Sequence, residues 1–228
     1  MKTPESYFRD QVRLPDEAGR GGEMTPAEQA FLDKYVGLDQ AEVLSRTRRV
    51  DPRPEDVPLR GLGPRAGLPE DQNLDESLRG QAEIQFVSFK VGEREFALPI
   101  AAVQEVLKHI PPTKLPKAPQ FVSGIINLRG RVTPLIRLGA ILGREPGPPE
   151  RFIVVCRQRG LQVGLEIGSA ASMHRAANTD IDWVMESKVG VAAEYVLGLM
   201  RSGQKLVSIL SIDRLVRRVL RSEGEGHG

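Results

Sequence analysis

The chain has 228 residues, 40% of them hydrophobic and 27% charged, with a formal net charge of +2. This length suits one medium domain with an appendage, or two small domains. Its single cysteine, Cys156, excludes an internal disulfide and favours a reducing compartment. No apolar run reaches the length of a membrane-spanning helix, and the N-terminus lacks the apolar core of a signal peptide.

Charge is distributed unevenly along the chain. Residues 1–80 carry 12 basic and 16 acidic side chains, whereas residues 81–228 carry 20 and 14. The asymmetry indicates that the basic part meets an acidic partner, or that the two parts attract each other. It is too weak to indicate nucleic acid binding by itself.

The first eighty residues predict an extension with two short helices. After a polar stretch over residues 1–24, a capping box begins a helix at about 26–36, and Asp39 caps a second at about 40–49. Two such helices cannot bury enough surface to be stable alone, so they dock on the main domain, dock on a partner, or fluctuate. The second ends in a basic cluster that either complements the helix dipole or favours nucleic acid or anionic lipid, and its members are Arg46, Arg48 and Arg49.

Residues 51–80 are rich in proline and glycine and predict an extended linker. We therefore place a domain boundary near residue 80, with a main domain over 81–221 and a flexible tail over 222–228. We expect residues 83–221 to fold without residues 1–80.

Beyond residue 83 the pattern changes to short strands. Apolar residues alternate over 84–100, and Gly92-Glu93 lies at the turn. The spacing of the next apolar residues predicts a short helix, and these are Val103, Val106, Leu107 and Ile110. A hairpin spans Gly124–Leu138 with its turn at Arg129-Gly130-Arg131, where glycine tolerates positive φ.

The second half of the main domain repeats this organisation. Strands begin at Phe152, residues 169–190 are irregular, and a last hairpin turns at Ser202-Gly203. Ser211 then caps a terminal helix with an apolar stripe. Many short strands at this spacing indicate an all-β sandwich or a pair of barrels.

Catalytic and metal-binding patterns are not apparent in the sequence. The three histidines are His109, His174 and His227, and none has a partner at metal-ligand spacing. Glycine-rich phosphate loops and nucleophile elbows do not occur. We expect no enzyme activity, no cofactor and no metal site.

The hairpin tip is the best candidate for partner binding. Arg129 and Arg131 present planar guanidinium groups, which suit a carboxylate on a partner. From composition alone, a solvated tip is the better interpretation, since most surface arginines have no specific role.

Residues from about Glu83 to Leu220 resemble the CheW family, the adaptors that couple chemotaxis receptors to the histidine kinase CheA. The resemblance rests on Val103-Gln104-Glu105-Val106 and, above all, on Asn127-Leu128-Arg129-Gly130 with Pro134 beyond it. It implies two small five-stranded SH3-like β-barrels with short helices, a mainly β domain. The sequence departs from the family at Arg137, where aspartate is common, and at Gly168.

The resemblance also implies partners, a location and sites. The partners would be the cytoplasmic tips of chemotaxis receptors and the regulatory domain of a CheA-type kinase. The protein would lie in the cytoplasm at receptor arrays, with only indirect membrane contact and no nucleic acid. Val103, Glu105 and Arg129 align with family positions for partner binding, and Arg131 joins them at the tip. The alternatives are a diverged scaffold of a non-chemotaxis signalling system and, less favoured, a nucleic-acid-binding β-barrel.

Overall fold

The structure is a computed structural model, and its described residues are 24–37, 40–53, 56, 74–116, 118–143, 149–169, 172–183, 193–203 and 205–221. The helices of these ranges are α1 Pro26–Tyr35, α2 Gln40–Arg46, α3 Leu74–Arg79, α4 Leu138–Ile141 and α5 Ile212–Leu220. The polar N-terminal stretch to residue 23, Asp39, His227, residues 57–73 of the linker and the tail from 222 lie outside the described residues.

Two six-stranded sheets make up most of the described chain. The strands of sheet I are β1 Arg49–Val50, β4 Val103–Lys108, β5 Val122–Leu128, β6 Arg131–Arg137, β7 Phe152–Gln158 and β8 Leu161–Ile167. Those of sheet II are β2 Glu83–Val91, β3 Arg94–Pro99, β9 Ser172–Ala177, β10 Ile181–Trp183, β11 Val196–Ser202 and β12 Lys205–Leu210. The order is β1-β5-β6-β8-β7-β4 in sheet I and β10-β11-β12-β3-β2-β9 in sheet II.

The prediction of a mainly β domain of two small barrels is confirmed as a mainly β fold with two curled sheets. Each sheet has six strands where the resemblance implied five. In sheet I the additional strand is β1, which comes from the N-terminal extension and pairs in parallel with β5. One hydrophobic core extends over both sheets and the helices, and a second, smaller cluster lies within sheet I.

The predicted helix at Val103–Ile110 is wrong, because these residues form β4 and its continuation. The pairing of β4 with β7 shifts register between Val103 and Glu105, so one extra residue is inserted. Such a bulge interrupts the period-two alternation, and buried residues then recur at a spacing of three, as in a helix.

Residues 169–190 are not wholly irregular, because β9 and β10 lie within them. Strand β9 lies at the edge of sheet II, and only Ala176 among its six side chains is buried. An edge strand with so little burial carries no alternating apolar signal, which is why its sequence did not reveal it.

Helix α1 docks on the β domain, one of the three possibilities that the sequence left open. Its Phe31 and Leu32 are each 1% exposed and belong to the main core. Two hydrogen bonds position it: Thr25 Oγ1 donates to the Gly160 carbonyl at 2.7 Å, and the buried Tyr35 hydroxyl donates to the Val219 carbonyl at 3.0 Å. This packing argues against the expectation that residues 83–221 fold without residues 1–80, and deletion of residues 1–80 is the experiment that tests it.

Helix α3 occupies part of the predicted linker. Its Leu74 and Leu78 are spaced by one helical turn, and each is 1% exposed. Ser211, the N-cap of α5, accepts from the Arg214 amide at 3.1 Å and donates to Asp75 Oδ2 at 2.7 Å. One serine therefore caps α5 and joins it to α3.

Candidate partner-binding site

The β5–β6 turn holds Arg129 and Gly130 with φ of 54° and 82°. Positive φ at both central residues gives a turn whose twist matches the flanking strands. Asn127 Oδ1 accepts from the Gly130 amide at 3.1 Å and fixes the turn. Arginine is an uncommon residue in this conformation, and Arg159 at the β7–β8 turn adopts it as well, with φ of 52°.

Arg129 forms a two-pronged ion pair with Glu105 on β4. Its Nε donates to Oε1 at 3.2 Å and its Nη2 to Oε2 at 3.0 Å. The Glu105 side chain is only 4% exposed, whereas that of Arg129 is 40% exposed. The hydrogen bonds with Glu105 raise the pKa of the Arg129 guanidinium above its ordinary value, and the nearby Asp51 carboxylate adds to the effect.

Arg131, the second predicted tip residue, is committed to the N-terminal extension. Its Nη1 lies 3.0 Å from Glu28 Oε1. Glu28 is buried, and its other oxygen accepts from the Thr25 amide at 2.9 Å within the capping box of α1. Arg131 therefore joins α1 to sheet I, and its predicted role in partner binding stays a prediction.

The remaining predicted site residue, Val103, lies in the main core at 1% exposure and pairs with Cys156 on β7. Burial raises the pKa of the Cys156 thiol above its ordinary range, so that group is an unreactive core residue. Of the four predicted residues, the structure joins Glu105 and Arg129 to each other and presents only the arginines to solvent.

Comparison with known proteins places these residues in a family. Residues 85–220 match the model of the CheW-like domain. The chain belongs to the CheW-like family.

The alignments with CheW-like relatives cover more than half of each relative's length. The chemotaxis protein CheW of Helicobacter pylori is 32% identical over 138 residues, 59% of this chain and 82% of that protein. The CheW of Thermotoga maritima is 28% identical over 144 residues, which cover 62% of this chain and 93% of that protein. The protein PilI of Pseudomonas aeruginosa is 33% identical over 110 residues, which cover 47% of this chain and 58% of that protein.

A solved CheW structure has the same fold. The scaffolding protein TtCheW of Thermoanaerobacter tengcongensis superposes with a TM-score of 0.54 and 25% identity. The superposition covers 62% of this chain and 95% of that chain. Helices α1 to α3 and strand β1 lie before the family match, which begins at residue 85.

Sequence reasoning missed the internal partners of the site. The capping box marks the start of α1, but nothing in it indicates that the second carboxylate oxygen of Glu28 accepts from Arg131. Nothing in the sequence indicates that Asp51 approaches Arg129. Within the described ranges, no group of three His, Cys, Asp or Glu side chains could hold a metal ion, and no helix there is long and apolar enough to cross a bilayer.

Proposed function

We propose that this CheW-like protein is an adaptor that couples chemotaxis receptors to a CheA-type histidine kinase. Membership of the family and the likeness to a scaffolding protein support an adaptor role. The single observation that carries the site is the Glu105–Arg129 pair. It holds a half-exposed guanidinium rigidly at a hairpin tip.

The pair works as a pre-organised contact. Glu105 uses Nε and Nη2 of the guanidinium, and Arg129 remains 40% exposed, so other donors of the group face solvent. Fixing the side chain before binding reduces the entropy lost when a partner docks. A carboxylate or carbonyl at a receptor tip supplies the matching acceptor. Glu105 acts as a positioning residue.

The same proposal places the protein in the cytoplasm at receptor arrays, with the regulatory domain of the kinase as its second partner. Phosphotransfer belongs to the kinase, and the adaptor changes its rate only when a receptor is present. The closely related alternative, a scaffold in a signalling system other than chemotaxis, differs in which receptor and kinase bind.

Reconstitution tests the proposal. The purified chain is mixed with the receptor cytoplasmic fragments and the CheA-type kinase of the same genome, and kinase autophosphorylation is measured with each component omitted in turn. We expect a rise in kinase activity only when all three are present. If the three-component mixture matches kinase alone for every receptor fragment, the coupling proposal is wrong.

Arg129→Lys provides the site-specific arm. Lysine keeps the charge but cannot form the two-pronged contact, so receptor binding should weaken. Arg201→Lys, at an exposed position on β11, is the matched control and should bind as the wild type does. Equal binding by both variants would remove Arg129 from the interface.

A further inference from the structure

A cleft of about 730 Å³ lies in sheet I, between the C-terminal end of β4 and residues 47–53 and 56 of the N-terminal extension. The cleft exists because the two ends of sheet I, β1 and β4, are not paired with each other. Strand β4 ends the sheet and pairs only with β7 among the described strands, while β1 covers just two residues of β5. An isolated bridge between Thr113 and Ile125 is the pairing that the structure shows across the remaining gap.

The cleft has an apolar floor. Leu107 and Ile126 are buried members of the small cluster within sheet I, and the partly buried Ile110 packs against that cluster. All three line the cleft, and Ile125 lies beside them. Its volume is in the range of sites that bury most of a ligand.

The rim of the cleft is basic. Four cations line it, Arg48, Arg49, Arg53 and Lys108, against two carboxylates, Asp51 and Asp56. Arg48, Arg49, Arg53 and Lys108 are exposed. Arg49 lies 2.8 Å from Asp51, and Lys108 lies 3.6 Å from Asp56, so two of the four cations are ion-paired. Four cations against two carboxylates leave the rim a formal net charge of +2, which attracts negative charge. The rim includes Arg48 and Arg49 of the basic cluster that the sequence singled out at the end of α2.

The wall also offers backbone donors. The His109 amide donates to the Arg151 carbonyl at 2.9 Å, on the side of β4 that pairs with β7. Because successive N–H groups of an extended strand point in opposite directions, the amide of Lys108, the last residue of β4, points to the other side, toward the cleft. An edge of this kind is a template for an added strand.

We propose that this cleft binds an extended acidic peptide segment of a partner, which adds a strand at the Lys108–Ile110 edge. Alternate apolar side chains of the peptide lie on Leu107, Ile110 and Ile126, and its acidic side chains face the cations of the rim. One wall comes from residues 47–53 and 56, before the family match. The site is thus a property of this chain's extension and does not depend on receptor coupling.

Fluorescence anisotropy with the full chain tests the proposal. The probe is a fluorescein-labelled heptapeptide of alternating glutamate and valine. Its references are the same peptide with lysine for glutamate, and the glutamate peptide N-methylated at alternate backbone nitrogens. We expect saturable binding of the glutamate peptide, weaker at higher salt. The lysine peptide should not bind. N-methylation should abolish binding, because strand addition needs the peptide backbone donors. Failure of the glutamate peptide to bind, or equal binding of the methylated peptide, would overturn the proposal.

Charge reversal locates the binding. The double variant Arg48→Glu with Lys108→Glu should weaken binding about tenfold, since two rim attractions become repulsions. The matched control, Lys90→Glu with Arg201→Glu, makes the same charge change at exposed positions on sheet II and should leave affinity unchanged. Equal effects of the two doubles would show that only net charge matters and would refute a site in this cleft. In amide NMR spectra, Lys108 and Ile110 should shift on binding, and an absence of shifts would place the peptide elsewhere.

Discussion

The Arg129 guanidinium, at the tip of the β5–β6 hairpin, makes both of its ion-pair contacts with Glu105, 24 residues earlier on β4. The contacts at 3.2 and 3.0 Å fix the tip against the sheet. Glu105 is almost completely buried, so the two hydrogen bonds from Arg129 offset the cost of removing its carboxylate from water.

We therefore expect Arg129→Ala to destabilise the fold. A substitution at an exposed hairpin-tip residue without a buried partner would change stability little. Removing the partner of a buried carboxylate costs several kcal/mol when both groups are buried, and the half exposure of Arg129 reduces this to about 2 kcal/mol. Urea unfolding would measure it. Arg201→Ala should change the free energy of unfolding by about 0.5 kcal/mol or less. The double variant Arg129→Ala with Glu105→Gln should regain part of the loss. If Arg129→Ala unfolds at the same urea concentration as wild type, Glu105 does not need its ion-pair partner for stability.

Helix α1 should prove part of the cooperative unit. Phe31→Ala empties a site that is 1% exposed and should lower the free energy of unfolding by about 3 kcal/mol. Asp33→Ala, on the exposed face of the same helix, is the control. The chain lacking residues 1–80 should show no cooperative thermal transition by circular dichroism, because it loses Phe31, Leu32, Leu74 and Leu78 from the core. A sharp transition near that of the full chain would restore the boundary at residue 80.

Asp75 should make stability depend on pH. Burial raises the pKa of this carboxyl above its ordinary value, the Ser211 hydroxyl opposes the shift, and Asp213 adds to it. A raised folded-state pKa means that the folded chain binds the proton more tightly than the unfolded chain. This stabilisation is therefore present below a pH of about 3.9 and is lost as the pH rises through the folded pKa.

Asp75→Asn isolates the effect, because asparagine still offers Ser211 an acceptor oxygen. The free energy of unfolding of the variant, minus that of wild type, should rise with pH between about 3.9 and the folded-state pKa of Asp75. Above that pKa the difference should stay constant. Urea unfolding at a series of pH values would measure the difference. A difference that stays constant with pH would show that Asp75 has an ordinary pKa in the folded chain.

Gly124 should not tolerate a side chain. Its φ is 148°, and an added Cβ would collide with the Thr113 carbonyl, where the bridge to Ile125 crosses the gap in sheet I. Gly124→Ala should cost about 3 kcal/mol, from strain together with overpacking. Gly168→Ala has open space around its Cβ and is the matched control. Equal melting temperatures for the two variants would contradict this geometry.

The sequence by itself determined the elements that local chemistry specifies. The capping box at Thr25 and the N-cap at Ser211 mark helices that the structure contains, since a side-chain acceptor at the first turn satisfies amides that no helical carbonyl reaches. Gly130 marked the hairpin turn for the same kind of local reason. The family was also evident from the Asn127–Gly130 motif, and residues 85–220 confirm it.

Tertiary structure alone decided which of these residues meet. No spacing in the chain indicates that Glu105 pairs with Arg129, or that Glu28 pairs with Arg131, because each pair joins two different elements. The bulge in β4 gives its buried residues a helix-like spacing, so the sequence predicted a helix there. Strand β9 has too few buried side chains to show the period-two alternation of a strand. The docking of α1 depends on the summed burial of Phe31, Leu32 and Tyr35 against the β domain. That free energy belongs to the assembled core, and no short stretch of sequence contains it.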